Sequence, residues 1–168
     1  MAQMPRAAVD PLVLGRVIGD VLDMFVPSAE LVVRYGPTHI SNGCEIKPST
    51  GAERPTVHIR GSSDYYSLVM VDPDAPSPSE PSFRELVTDI PDGSDASEGK
   101  EAMPYMGPQP PTGTHRYVLV AFQQHGQMEI VKDKPAERPH FSTRRFSAEN
   151  QLGLPAAALY FNSSKDSN

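Results

Sequence analysis

Cysteine and tryptophan are scarce in this 168-residue sequence, which contains a single cysteine, Cys44, and no tryptophan. One cysteine excludes a disulfide framework and a metal cluster bound by thiolates alone. Beside a turn, such a cysteine is better interpreted as a small, half-buried apolar residue than as a redox or catalytic group. The histidines show no short metal-binding spacing, so we expect neither a metal nor another cofactor.

Positive charge is also in the minority, with 15 Lys and Arg against 21 Asp and Glu and a net charge of −6. The pI is about 5.3. Direct binding of nucleic acid needs a positive field over part of the surface. We therefore expect no direct contact with nucleic acid, and any role on DNA would have to pass through a partner.

Long apolar runs are missing as well. Gly15, Arg16, Gly19 and Asp20 interrupt the segment in which a signal peptide would lie. No segment approaches the ~20 apolar residues that a membrane-spanning helix needs. These features predict a soluble intracellular protein without a membrane span.

Proline and glycine, in contrast, are abundant, with 18 and 12 residues respectively. Such a composition favours a loop-rich β fold over a helical bundle. The length fits one domain, which we assign to residues 1–168. We expect residues 1–9 and 163–168 to be disordered tails.

Periodic patterns predict most of the secondary structure. Asp10-Pro11 is a strong helix start, and apolar residues at helical spacing then predict one helix to about Phe25. A short helix is predicted at 147–154. The strands predicted from β-branched and aromatic content are 30–35, 56–59, 65–71, 86–90, 115–124 and 157–161.

Two of these segments carry further information. Residues 65–71, "YYSLVMV", are apolar on both faces, which predicts a central strand covered on each side. Residues 91–114 show no periodicity of either kind. A structureless stretch of that length in one domain usually has a function.

Two aspartates, Asp72 and Asp74, follow the predicted central strand in the proline-rich segment "VDPDAPSPSEP". Carboxylates at a strand end are commonly turn formers that bond their own backbone. A second proline-rich segment, 107–117, ends on His115-Arg116 as a strand begins. Stiff loops of this kind can instead hold polar groups around a cavity. No spacing in the sequence shows that the two segments meet.

The motifs "LVMVDPDAPSPSEP", "GTHRYVLVAFQQ", "HFSTRRF" and "LGLPAAALYFN" resemble the phosphatidylethanolamine-binding protein family. Within it they resemble the plant branch of florigens, antiflorigens and the mother-of-FT group. "PYMGPQPP" and "DPLVLGRVIGDV" favour the last group. The resemblance extends from about residue 10 to 162. It implies a mainly β fold, a β-sandwich of a central antiparallel sheet and a smaller sheet with a few short helices.

The resemblance also implies a shallow anion pocket where the two motif loops come together. A histidine can donate a hydrogen bond to a phosphate, while an aspartate orients the imidazole or receives an ammonium group. Asp74 corresponds to a more structural position. By correspondence with the family motifs, the pocket residues are Asp72, Asp74, Gly107, Pro108, His115 and Tyr117.

The sequence departs from the family directly after Arg84-Glu85, where four residues are absent and "LVTDI" follows at once. The gap removes the second pocket histidine and the position at which florigens and antiflorigens differ. Because strand side chains alternate with period two, an even deletion preserves the two faces. We expect the fold to survive, the pocket to be damaged, and a phosphate or phospholipid headgroup to bind weakly or not at all.

A second family site is the surface through which florigens bind 14-3-3 proteins and reach a bZIP transcription factor. Its two arginines, proline and phenylalanine correspond here to Ser63, Gln127, Pro91 and Glu98. Only the proline is retained. A glutamate in place of an aromatic removes an apolar anchor and adds repulsion toward an acidic partner. We expect weakened binding of 14-3-3, with a bZIP factor engaged directly or through it.

The resemblance predicts a monomeric, non-enzymatic signalling adaptor of cytoplasm and nucleus, regulating flowering or seed germination through transcription-factor complexes. The alternative is a carrier of phospholipid headgroups or small anions; a kinase or protease inhibitor is a third possibility. No G-x-S-x-G elbow is present, which argues against a hydrolase. Arg144 and Arg145 could assist an anion or form structural ion pairs.

Overall fold

The computed structural model describes residues 10–75, 83–129, 131 and 142–165. These residues form two sheets and a few short helices, which confirms the predicted mainly β fold with a larger and a smaller sheet. The strands are β1 Ala29–Tyr35, β2 Thr38–His39, β3 Cys44–Glu45, β4 Thr56–Gly61, β5 Tyr65–Val71, β6 Phe83–Pro91, β7 Lys100–Met103, β8 Thr114–Gln124 and β9 Ala157–Ser164.

The smaller sheet has three strands in the order β2-β1-β4, and the larger has six in the order β3-β9-β8-β5-β6-β7. Strand β5 lies between β6 and β8, antiparallel to both. All of its residues except Tyr65 are buried. The prediction of a covered central strand at residues 65–71 is therefore confirmed.

Two apolar cores lie on opposite faces of the larger sheet, because side chains alternate along each strand. On β8, Tyr117, Leu119 and Ala121 belong to the core between the two sheets, the inter-sheet core. Val118, Val120 and Phe122 belong to the core beneath the helices, the helix-side core.

The amino-terminal segment differs from its prediction. Two single turns, α1 Pro11–Leu14 and α2 Val17–Asp20, replace the continuous helix to Phe25. The chain leaves α1 where Gly15 lies against Tyr160, since a Cβ on Gly15 would be 2.4 Å from the tyrosine hydroxyl. Arg16 follows with a φ of 60°. The prediction of one helix is wrong because this tertiary contact overrides the helical periodicity.

Three further boundaries differ. The segment 91–114 contains a 3-10 helix, Ala96–Glu98, and strand β7, which pairs with β6. Helix α3, Thr143–Glu149, begins earlier than the predicted 147–154, because the Ser142 side chain accepts a hydrogen bond from the Arg145 N–H. Strand β9 continues to Ser164, into the predicted tail.

The predicted tail at residues 1–9 and residues 166–168 lie outside the described part of the chain. Within that part, no helix has both the length and the hydrophobicity needed to cross a bilayer.

Candidate functional site

The two proline-rich segments meet at one edge of the central strands. Strand β5 ends at Val71, which pairs with Val118 near the start of β8. Because the strands are antiparallel, the residue after Val71 lies beside the first residues of β8. The His115 Nδ1 is 2.7 Å from the Asp72 Oδ2. The sequence alone did not establish this contact.

Both side chains are buried, with Asp72 1% and His115 5% exposed. An ionised carboxylate can only accept hydrogen bonds, so Nδ1 carries the hydrogen and donates it to Asp72. The other Asp72 oxygen, Oδ1, accepts from the Asp74 N–H at 2.9 Å. Asp72 therefore closes its own turn, as a turn former would, and also holds the His115 imidazole.

Tyr117 forms the buried floor beside this pair. Its ring stacks on His115 with the centroids 6.5 Å apart, and on Phe161 at 5.5 Å. Burial, and after it the negative charge of Asp72, raises the pKa of the Tyr117 phenol. The phenol therefore stays protonated at neutral pH.

Gly107 and Pro108 form a wall that packs against the turn at residues 47–52. A Cβ on Gly107 would be 2.5 Å from the carbonyl oxygen of Gly51, so this close approach requires glycine. Pro108 is buried. The structure thus brings five of the six predicted residues together, with Gly107, Pro108 and Tyr117 beside the Asp72–His115 pair. A role in anion binding stays a prediction.

Asp74, the remaining predicted pocket residue, points to a different partner. Its Oδ2 accepts from the backbone N–H and the Nε of Arg116, at 2.8 and 2.9 Å, and its Oδ1 from Nη2 at 2.8 Å. Burial alone would raise the pKa of Asp74, but the hydrogen bonds and charge of Arg116 outweigh it and lower the pKa. Arg116 also contacts Asp20 at 3.0 Å, so this network ties the amino-terminal segment to β8.

Sequence reasoning missed two site residues, Arg84 and Glu85, which are 3% and 0% exposed. The Arg84 Nη2 is 3.9 Å from the Asp72 Oδ2, and its Nη1 donates to the Gly107 carbonyl at 3.2 Å. A signal was available, because two charged residues that lead directly into a buried strand must find partners.

Glu85 contacts the segment that follows the turn at residues 47–52, against which the wall packs. Its Oε2 is 2.9 Å from the Nε of Arg54, an arginine with 29% of its side chain exposed. Nearby, the Tyr105 hydroxyl lies 2.7 Å from that of Tyr35 and donates to the Gly51 carbonyl at 2.6 Å. Burial raises the pKa of Glu85 to about 7, although the charge of Arg54 opposes this shift.

A sequence profile described as "Phosphatidylethanolamine-binding protein" matches residues 37–161. The chain belongs to the phosphatidylethanolamine-binding protein family.

Plant members of the family match nearly the whole chain. It is 52% identical over 164 residues to "Protein MOTHER of FT and TFL1 homolog 2" of Oryza sativa subsp. japonica, covering 94% of both chains. It is 42% identical to "Protein TERMINAL FLOWER 1" of Arabidopsis thaliana, covering 99% of this chain and 97% of that one. The resemblance to the plant branch and to the mother-of-FT group is confirmed.

Solved structures share the fold of this chain. A crystal structure of carboxypeptidase Y inhibitor complexed with its cognate proteinase has a TM-score of 0.77 and 23% identity, covering 96% of both chains. The CG7054 solution structure has a TM-score of 0.65 and 32% identity, covering 89% of this chain and 92% of that one. The first likeness, at this identity, establishes the fold alone.

Three of the four residues predicted at the partner surface gather around Tyr65 in this family member. The Ser63 Oγ donates to the Tyr65 carbonyl at 3.0 Å, and the Gln127 Nε2 donates to its hydroxyl at 3.3 Å. Pro91 is the strand partner of Tyr65. Glu98 is exposed on the 3-10 helix. Binding of a partner at these residues stays a prediction.

Arg144 acts as a structural residue. Its Nε is 2.9 Å from the Asp23 Oδ1, and its Nη2 donates to the carbonyls of Gly19 and Leu22 at 2.7 and 3.2 Å. The structural alternative is therefore supported for this arginine, which fastens α3 to the amino-terminal segment. Among the described residues, no group of His, Cys, Asp or Glu is arranged to hold a metal ion.

Proposed function

We propose that this phosphatidylethanolamine-binding protein is a non-enzymatic signalling adaptor that regulates plant development. It acts on flowering or seed germination through transcription-factor complexes, as a monomer in cytoplasm and nucleus. Support comes from the high identity to plant relatives whose names refer to flowering and growth habit, "Protein TERMINAL FLOWER 1" and "Protein SELF-PRUNING" among them.

The burial of the Asp72–His115 pair is the observation that carries the proposal. The two side chains are 1% and 5% exposed, and each already has a partner within the chain. A carrier needs polar groups that a ligand can reach, whereas an adaptor needs only a stable fold and an accessible surface. The closed pair favours the adaptor.

A headgroup or small-anion carrier remains the second candidate function, because one specific observation favours it. The aspartate, the histidine and the neighbouring tyrosine of the family pocket are all present and in contact. Occupancy of such a site by a phosphate would require His115 to turn a donor toward it.

The partner of the adaptor is a bZIP transcription factor, bound directly or with 14-3-3. At the surface around Tyr65, Ser63 and Gln127 stand at the two positions where arginines would attract an acidic partner. Glu98, also part of the predicted surface, is exposed and negatively charged. Like charge across an interface slows association and weakens binding. Engagement through 14-3-3 is therefore weaker than through an arginine-bearing surface.

The experiment that tests this function is co-purification with plant bZIP factors from plant tissue, with and without added 14-3-3. The wild-type chain is compared with a variant carrying Ser63→Arg, Glu98→Phe and Gln127→Arg. We expect the wild-type chain to retain a bZIP factor and the triple variant to bind 14-3-3 at least about tenfold more tightly.

Two results would contradict the proposal in different ways. Recovery of no transcription factor by either chain would remove the adaptor function. Equal 14-3-3 affinity of both chains would leave the adaptor but disprove the weakened surface. A variant with Glu45→Gln, Glu53→Gln and Glu149→Gln, three exposed positions outside the predicted surface, makes the same total change of charge and serves as the control.

A further inference from the structure

Strand β6 brings Arg84 into the candidate site formed by Asp72, His115, Gly107 and Tyr117, which is called the cleft below. It does so through an irregularity of its pairing with β5. Met70 pairs with Glu85 and Val71 with Phe83, so the register of the two strands shifts by one residue at Arg84. A bulge of this type re-aims the side chain of the extra residue. Phe83 belongs to the helix-side core, while Arg84 reaches Tyr117 of the inter-sheet core.

Three groups surround the guanidinium, and each of them attracts a cation. They are the Asp72 carboxylate, with Oδ2 3.9 Å from Nη2, and the Gly107 carbonyl, 3.2 Å from Nη1. The third is the ring of Tyr117, whose centroid is 5.5 Å from the Arg84 Cζ. A carboxylate, a carbonyl and an aromatic face are together the usual elements of an ammonium or guanidinium site.

Because these groups are buried, loss of one contact would cost stability. Arg84 is only 3% exposed, and a guanidinium stays charged at every physiological pH. Its charge offsets that of Asp72, which is 1% exposed. Removing either partner would leave the other charge buried and unpaired, which is strongly unfavourable.

We propose that the guanidinium of Arg84 occupies a cation site made by Asp72, Gly107 and Tyr117. Because this internal cation fills the site, headgroup ligands are excluded from the cleft. An external ammonium group must compete with a cation that is covalently tethered at the site. A phosphate could bind the guanidinium only if Arg84 turned away from Asp72, which would leave that buried carboxylate without its cation and facing the anion. This goes beyond the proposed function, because it holds whichever protein partner is bound at the surface.

The first experiment empties the site. In Arg84→Ala, the three acceptors remain without their cation, so the variant is less stable and takes up guanidinium ion from solution. We expect about 20 mM guanidinium chloride to raise its Tm saturably by about 5 °C relative to the same concentration of sodium chloride. The wild-type protein and Arg144→Ala, whose arginine is 43% exposed, gain nothing. A folded Arg84→Ala that shows no such gain overturns the proposal.

The second experiment uses only the wild-type protein and does not depend on a variant that folds. Side-chain NMR of protein labelled with ¹⁵N in arginine and histidine is followed while phosphorylethanolamine, and separately inorganic phosphate, are added. We expect slowly exchanging Arg84 guanidinium protons and no saturable shift of the Arg84 or His115 signals with either compound. Saturable shifts with either compound, or a rapidly exchanging Arg84 guanidinium, would show an open cleft and disprove the internal occupant.

Discussion

The two ends of strand β6 each bury an acidic side chain, but in different surroundings. Near the carboxyl end, the Asp89 Oδ1 accepts from the Gln124 Nε2 at 2.6 Å and from the Met128 N–H at 2.8 Å. Its Oδ2 is 3.1 Å from the Lys100 ammonium. Near the amino end, Glu85 has the ion pair with Arg54 at 2.9 Å.

These surroundings move the two pKa values in opposite directions. Burial by itself would raise both. At Asp89 the hydrogen bonds from Met128 and Gln124, with the contribution of Lys100, outweigh burial and lower the pKa. At Glu85 burial outweighs Arg54, and the pKa rises to about 7. The number of donors that reach a buried carboxylate, rather than burial itself, decides whether its charge is stable.

The difference assigns separate roles to the two ends. The Asp89 network joins β6 to the end of β8, next to the surface around Tyr65, and stays charged and fixed across neutral pH. At the amino end of β6, Glu85 holds Arg54, which follows the turn at residues 47–52. This turn packs against the wall formed by Gly107 and Pro108. The proposed partner surface therefore rests on the pH-insensitive end, and the cleft on the pH-sensitive one.

The largest expected effect comes from Asp89→Ala. It leaves the Met128 N–H without its acceptor and removes one of the two acceptors of the Gln124 Nε2, which keeps only the Gly126 carbonyl. It also places alanine at a φ of 55°. We expect a loss of about 3–5 kcal/mol in the free energy of unfolding, measured by urea denaturation at pH 7.

Asp89→Asn is the matched control, because asparagine tolerates the left-handed backbone and keeps one acceptor oxygen. It should cost clearly less than the alanine variant. A loss below about 1 kcal/mol for Asp89→Ala would show that the network does not hold this end of the strand.

The strands of the central sheet were predictable from sequence because their information is local. The apolar run at 65–71 and the β-branched and aromatic content of 115–124 identify strands without reference to the rest of the chain. The helix predicted to Phe25 failed for the opposite reason. Gly15 ends α1 against Tyr160, a residue far away in the sequence, and helical periodicity carries no trace of that contact.

The residues of the candidate site were likewise predictable only in part. Family motifs located Asp72 and His115, while only the strand pairing shows that they touch. Arg84 was not predictable as a cleft residue, because its direction depends on a bulge set by the register of β6 against β5. The gap after Glu85 predicts the loss of a histidine, but it does not predict that Arg84 and Glu85 stand buried near the start of β6.

The next effect in size is the pH dependence at Glu85. Its folded pKa, about 7, lies above the ordinary value of 4.5, so the folded state holds this proton more tightly than the unfolded state. The resulting stability is fully present below pH 4.5 and is lost as the pH rises through 7. Between pH 5 and pH 8 we expect the free energy of unfolding to fall by about 2–3 kcal/mol from this group.

Glu85→Gln should abolish this pH dependence, measured by urea denaturation at a series of pH values. Glu101→Gln is the control, since Glu101 also faces Arg54 at 3.6 Å but is 46% exposed. It should retain most of the wild-type slope, because burial is the main cause of the raised pKa of Glu85 and the charge of Glu101 adds to it only secondarily. An unchanged slope in Glu85→Gln would assign the pH dependence to other groups and remove the contrast between the two ends of β6.

The smallest expected effect, and the sharpest test of the comparison, is Lys100→Met. The Lys100 ammonium lies 3.1 Å from Asp89, but its side chain is 64% exposed and solvent screens the pair. Because Gln124 and Met128 still donate to Asp89, we expect a loss of less than about 1 kcal/mol, reduced further by added salt. A loss of more than about 2 kcal/mol would mean that Asp89, like Glu85, depends on a single cation. The two ends would then differ in the exposure of that cation, and hydrogen bonding could no longer explain the opposite directions of their pKa shifts.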